Sequence, residues 1–309
     1  MYKILMGASV TALMASGASA QELSYGTFTA SYGALSGGGT DVETTLFAGQ
    51  AGMQMGNVDF WTSGYVAQAS IDGLPVDLGS DALALGFGYT FAQDFRVDVS
   101  TSTIGLDIGG VGLDIGLTEI GAAYDNGTYF GRLSYTDLDL PGGIPIDSLV
   151  SLHAGYAMND VFEVSLSVHA ADDPSGTLDP IYILTTEYDN GQFGVTFDAA
   201  QVALGGTDLS VTTLGGNYQI NDQWGVEGAY TVADAGGGLD ATQFRLGATY
   251  DFNDNMSAFA NYNSIEIAGT DVDGFSLGMT VDFGTKSTSQ QTTGDRLAGV
   301  LGSVGGFNF

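Results

Sequence analysis

The sequence predicts an all-β fold: a transmembrane, antiparallel, up-and-down β-barrel of about sixteen strands, with fourteen as the alternative. Three observations predict it. Turn motifs recur roughly every 32 residues along the chain. The segments between breaks alternate apolar and polar residues with period two. The chain is also very acidic, with 36 acidic against 6 basic residues, yet its mean hydropathy is slightly positive. Soluble acidic chains are seldom so apolar, so the two properties must be sorted onto opposite surfaces.

The first twenty residues stand apart. MYKILMGASVTALMASGASA has Lys3 near its start, an apolar run around Ile4–Met14 and the small residues Ala18-Ser19-Ala20 at its end. This is the pattern of a secretory signal peptide over residues 1–20, and the apolar run is too short to span a bilayer. An exported chain without cysteine must hold together by burial and backbone pairing. Between residues 22 and 284 the cationic side chains are Arg96, Arg132 and Arg245. So acidic a surface repels nucleic acid.

The turns are best seen at YDNG, which occurs at 124–127 and again at 188–191. Asn, Asp and Gly tolerate the positive φ of tight hairpin turns. Related punctuation stands at MGNVDF (55–60), TFAQDF (90–95), MNDVF (158–162), INDQW (220–224) and FNDNM (252–256). Between these seven short turns lie eight Gly- and Asp-rich breaks, such as GLDIGGVGLD (105–114) and DDPSGTLD (172–179), which read as longer loops.

The intervening segments are expected to be strands of roughly 10–13 residues. In WGVEGAYTV, Trp224, Val226, Tyr230 and Val232 share one face and Glu227 and Thr231 the other. In FSLGMTVDF, Phe275, Leu277, Met279, Val281 and Phe283 oppose Ser276, Thr280 and Asp282. Such alternation suits a sheet with lipid on one side and water on the other. Lipid leaves no backbone group unpaired, so the sheet must close. Aromatics beside the short turns form an expected interfacial girdle: Trp61, Tyr89, Phe95, Tyr124, Tyr129, Tyr156, Phe162, Tyr188, Phe193, Tyr218, Trp224 and Tyr250.

The signal peptide, the sixteen alternating segments, the aromatic turns and the acidic composition resemble a Gram-negative outer-membrane porin of the alphaproteobacterial general type. The resemblance covers residues 22–284. It implies a water-filled channel in the outer membrane, surrounded by lipid and assembled as a homotrimer, that passes small hydrophilic solutes and ions without a cofactor. It also implies that Phe309 is read by the assembly machinery. Two features depart from the family. The third longer loop, about Gly105–Gly116, is short for a constriction loop, with Asp107 and Asp114 as its constriction candidates. The last strand ends at Phe283, and a polar linker and short tail (285–309) follow.

If apolar faces meet lipid, Arg96, Asp98, Glu119, Arg132, Glu163, Glu187, Asp198, Glu227 and Arg245 project inward, with Gln50, Gln54, His153, His169 and Asp282. Glu119 and Arg132 flank the turn at Asn126-Gly127 at similar distances and are expected to form a diagonal pair. Carboxylate rings favour cations, so the channel is expected to prefer them. Two other readings remain. A lumen plugged by the tail or the third loop makes a structural or adhesive barrel. A barrel enzyme would use His169 with Asp172 and Asp173. No metal site is expected, beyond weak Ca²⁺ or Mg²⁺ binding at loop carboxylates; GGVGLD (109–114) matches one unit of a calcium-binding repeat that needs tandem copies.

Overall fold

Both YDNG copies fold into the same turn. In the computed structural model, Asn126 Oδ1 accepts the backbone N–H groups of Thr128 (3.0 Å) and Tyr129 (2.8 Å), and Asp125 Oδ1 accepts that of Gly127 (2.9 Å). Asn190 does the same for Gln192 (3.0 Å) and Phe193 (2.9 Å), and Asp189 for Gly191 (2.6 Å). Asn221 repeats the bonds to Gln223 and Trp224 in a third turn. These side chains satisfy donors that a reversing chain takes out of the ladder. Gly127 and Gly191 sit at φ of 79° and 83°, where an L side chain is strained. A Cβ on either meets nothing within 4 Å, so the strain is purely conformational. Gly127→Ala is expected to cost about 1–2 kcal/mol, and Gly191→Ala as much again, additively, because the turns share no partner. Thermal unfolding of the two single variants and the double variant checks this.

The structure describes residues 25–71, 77–92, 94–109, 111–140, 146–159, 161–173, 179–204, 207–234, 236, 240–267 and 269–284. The signal peptide, the linker and tail, and Phe309 lie outside them. The described residues form sixteen strands: β1 (Tyr25–Gly37), β2 (Thr40–Met55), β3 (Val58–Ile71), β4 (Asp77–Ala92), β5 (Phe95–Ile108), β6 (Val111–Asp125), β7 (Tyr129–Asp139), β8 (Ser148–Met158), β9 (Phe162–Ala171), β10 (Ile181–Asp189), β11 (Phe193–Leu204), β12 (Thr207–Gln219), β13 (Trp224–Asp234), β14 (Asp240–Asn253), β15 (Met256–Ile267) and β16 (Thr270–Phe283). Each pairs antiparallel with its sequence neighbours. β1 closes on β16 from Gly26↔Phe283 to Ser36↔Asp273, so the sheet is a closed barrel with no free edge. Closure is what lipid demands, since an unpaired backbone group there costs several kcal/mol.

The alternation sorts the faces. Val97, Val99, Ile120, Leu133, Leu152, Leu214, Leu246 and Leu277 are among the many large apolar side chains left exposed on the outside. Their strand neighbours Asp98, Glu119, Arg132, Ser151 and His153 are buried on the inside. Tilted Phe95–Tyr124, Tyr129–Tyr156 and Trp224–Tyr250 pairs, with centroids 4.9–5.3 Å apart, line the short-turn end of the outer face. Trp61 is not among them. It sits on the inner register with Asp59, opposite Gly86, and is only 5% exposed. Phe60 takes the outward position instead and packs at a tilt against Phe87, ring centroids 5.2 Å apart.

The eight longer loops are corrected as well. At four of them the flanking strands end only two residues apart, β1 and β2, β5 and β6, β11 and β12, and β15 and β16, because the strands run on. β2 and β4 reach 16 residues and β10 only 9. Glycine and aspartate make these stretches look like loops, yet their apolar residues keep period two. They keep it on the other face. Val42 lies inward between Asp41 and Glu43, Leu138 between Asp137 and Asp139, Leu209 between Asp208 and Ser210, and Val272 between Asp271 and Asp273. Cross-strand neighbours match: Leu35↔Val42, Ile104↔Ile115, Leu106↔Leu113, Leu117↔Leu138, Val202↔Leu209 and Ile265↔Val272. On these strands the end away from the short turns is thus polar outside and apolar inside, the reverse of the middle. That is the sorting of a sheet standing in water, beyond the lipid.

Candidate functional site: the inner wall of the barrel

Strands β3, β5, β6 and β7 bring the charged residues of one wall together. Arg132 on β7 donates to Asp98 on β5 through both Nη1 (2.6 Å) and Nη2 (2.5 Å), a forked pair, and its Nη2 also reaches Glu119 Oε1 on β6 at 2.5 Å. Thr136 Oγ1 donates to the other Glu119 oxygen at 3.2 Å. Arg96 donates to Asp59 from Nε (3.1 Å) and Nη2 (2.5 Å), and its Nη1 lies 3.4 Å from Asp98 Oδ2. The Arg96 guanidinium also stacks on Trp61, 4.7 Å from the ring centroid. Asp98 therefore bridges the two arginines. Three carboxylates share two guanidiniums, leaving this buried network one negative charge in excess. Planar forked donors suit such sharing better than an ammonium would.

The backbone makes room for it. Gly121 lies opposite Asp98 and beside the Arg132 guanidinium, and a Cβ there would collide with that side chain. The sequence pattern pairs Glu119 with Arg132, and the structure adds Asp98 as the second partner. Asp59 and Trp61 complete the network from β3, a strand whose inner face the sequence leaves without an obvious charge partner. Counting back by twos from Ser63 on β3 would have put both on the inner register.

The other wall is acidic. Glu163 and Glu187 stand directly opposite each other across β9 and β10, and neither strand carries a Lys or Arg. Asp198 on β11 lies between Thr185 and Thr213 in the same rung. Glu227 on β13 stands diagonal to Arg245 on β14 with Nε 3.9 Å away, and the Asn261 amide nitrogen reaches Glu227 Oε1 at 3.1 Å in the orientation that satisfies both its atoms. The histidines bind crosswise over β8 and β9: His153 Nδ1 with Ser167 Oγ (2.9 Å) and His169 Nδ1 with Ser151 Oγ (2.8 Å).

Asp107 and Asp114 do not form a constriction. Residues 105–108 and 111–116 are paired strand, turning at Gly109 with φ of 63°. The register runs without a bulge from Phe95↔Tyr124 to Ile108↔Val111, so both aspartates share the outer register of Val97 and Val99. An unbroken period of two cannot move them inside. In GGVGLD, Gly109 lies in a turn and Val111–Asp114 begin β6.

Residues 141–270 match the protein family described as Gram-negative porin. No curated protein matches the chain by sequence. Among solved structures, Acinetobacter baumannii OccAB4 is similar at 9% identity with a TM-score of 0.53, over 84% of this chain and 97% of that one. Pseudomonas aeruginosa OccK11 (OpdR) gives 9% and 0.53, over 85% and 96%. A mutant of the Rh. blastica porin gives 15% and 0.52, over 84% and 99%. At these identities the likeness speaks for the fold. The closed barrel, the lipid-facing apolar side chains, the polar inner wall and the family match over residues 141–270 together support an outer-membrane porin, a channel for passive diffusion.

Proposed function

We propose that the channel prefers cations. The observation that carries this reading is the commitment of the arginines. All three guanidiniums on the inner wall have carboxylate partners, and one pair of carboxylates, Glu163 and Glu187, stands face to face on strands without a cation. Two carboxylates on one rung concentrate negative charge on that wall, which attracts a passing cation. Neutralised arginines offer an anion little, so the wall potential is negative on both sides. Small hydrophilic cations and neutral solutes enter, and multivalent anions are held back.

The test is the reversal potential of the refolded protein in a planar bilayer under a salt gradient. The expected sign is cation-selective. Glu163→Gln with Glu187→Gln is expected to bring the potential clearly toward zero while leaving conductance steps in place. An anion-selective potential in the unaltered protein would overturn the reading.

The reading requires neither a cofactor nor a catalytic group. His153 and His169 are each engaged by a serine hydroxyl, which suits a structural lumen residue better than a general base. On the resemblance to general porins we further read the assembly as a homotrimer, which native mass measurement in detergent checks.

A further inference from the structure

Several strands, β2, β5, β6, β7, β12 and β16 among them, turn apolar residues inward at the end away from the short turns, and a channel for hydrophilic solutes alone gains nothing from that collar. Water and ions lose polar contacts beside it. An apolar collar set above an acidic wall is complementary to a different solute, one with an apolar body and a cationic head. The two halves meet most closely on β10–β12. There Ile183, Ala200 and Val211 form one inward rung, with Ile183↔Ala200 and Ala200↔Val211 as direct neighbours. The next inward rung toward the short turns is Thr185, Asp198 and Thr213. Consecutive inward rungs are two residues apart, about 7 Å along the strand. That is close to the separation of ring and ammonium in an arylethylamine. Asp198 is flanked by hydroxyls, and β10, β11 and β12 carry no Lys or Arg to compete for it.

We propose that this wall binds and passes organic ammonium ions with an apolar body, a phenyl ring or a short alkyl chain. The ammonium sits at Asp198 and the body lies on Ile183, Ala200 and Val211. The ammonium half rests on the cation-preferring reading above; the collar half does not.

The test compares three small ions as blockers of the refolded full chain in a planar bilayer, added from the collar side: phenethylammonium, ethylammonium and phenylacetate. Phenethylammonium is expected to half-block at about a tenfold lower concentration than ethylammonium, equivalent to about 1.4 kcal/mol. Phenylacetate is expected to block far more weakly than either. Ile183→Thr keeps the β-branched shape of a strand residue and is expected to shrink the tenfold ratio toward one. Asp198→Asn is expected to weaken both ammonium ions together. Equal half-blocking by the two ammonium ions would overturn the collar half, whatever the reversal potential. Equal block by phenylacetate and phenethylammonium would overturn the ammonium half. The comparison on the unaltered protein decides both even where a variant fails to refold.

Discussion

Replacing Arg132 by Met is expected to destabilise the barrel by about 3–5 kcal/mol, the cost of removing one partner from a buried ion pair. Arg132 is the hub of the inner network. Its fork holds Asp98, and the same Nη2 holds Glu119, with all three side chains at most 3% exposed. Without it two carboxylates remain buried beside each other, and Asp98 keeps only the 3.4 Å contact to Arg96. The loss should show as a lower temperature for converting the folded to the unfolded band on a gel. Arg132→Lys is expected to recover part of the loss, because an ammonium reaches one carboxylate well but cannot fork across two. A methionine variant as stable as the parent would mean that water, and not the guanidinium, compensates these carboxylates.

Placing arginine on the outside of β5 is expected to give two very different costs four residues apart. Val99→Arg puts a charge on the lipid face, which costs about 2–4 kcal/mol near the bilayer midplane. Thr103→Arg projects from the same face, but at the level where Ile104 has taken the apolar role inside. There the expected cost is about 0–1 kcal/mol, as for a site near the interface. Denaturant-dependent folding into lipid vesicles measures both. Equal costs would place Thr103 in hydrocarbon and remove the argument that the collar stands in water.

The two positions also show what the sequence could tell and what it could not. Period two is a local property, so the face of Val99, Glu227 or Phe275 follows from its neighbours alone. The turns were equally legible, because Asp-Asn-Gly chemistry acts within four residues. What failed was the reading of composition over periodicity. Asp107 and Asp114 lie among glycines, a composition that reads as loop. Yet Ile104, Leu106, Leu113, Ile115 and Leu117 recur at every second residue and belong to strands. Trp61 failed for another reason. Its position near a turn matched the girdle, but Phe60 and Trp61 are consecutive, and only one of them can face lipid. Contacts within the site were the least legible. Asp59 reaches Arg96 from 37 residues away, and that distance is set by strand order and register, which alternation does not specify.

The closure of β1 on β16 has a kinetic meaning. Fifteen of the sixteen strand pairs are hairpins between sequence neighbours, but the seam joins the two ends of the barrel: Thr29 and Thr280, bonded at 3.2 Å, are 251 residues apart. Closing a loop roughly eight times longer than a 32-residue hairpin costs about 2 kcal/mol more in chain entropy. The hairpins can zip in any order, each helped by the last, whereas the seam forms only when the rest is in place. Until then β1 and β16 are open edges that would pair with any extended chain nearby. The slowest and most exposed moment in this barrel's assembly therefore falls at one identifiable line, along Gly26–Ser36 and Asp273–Phe283.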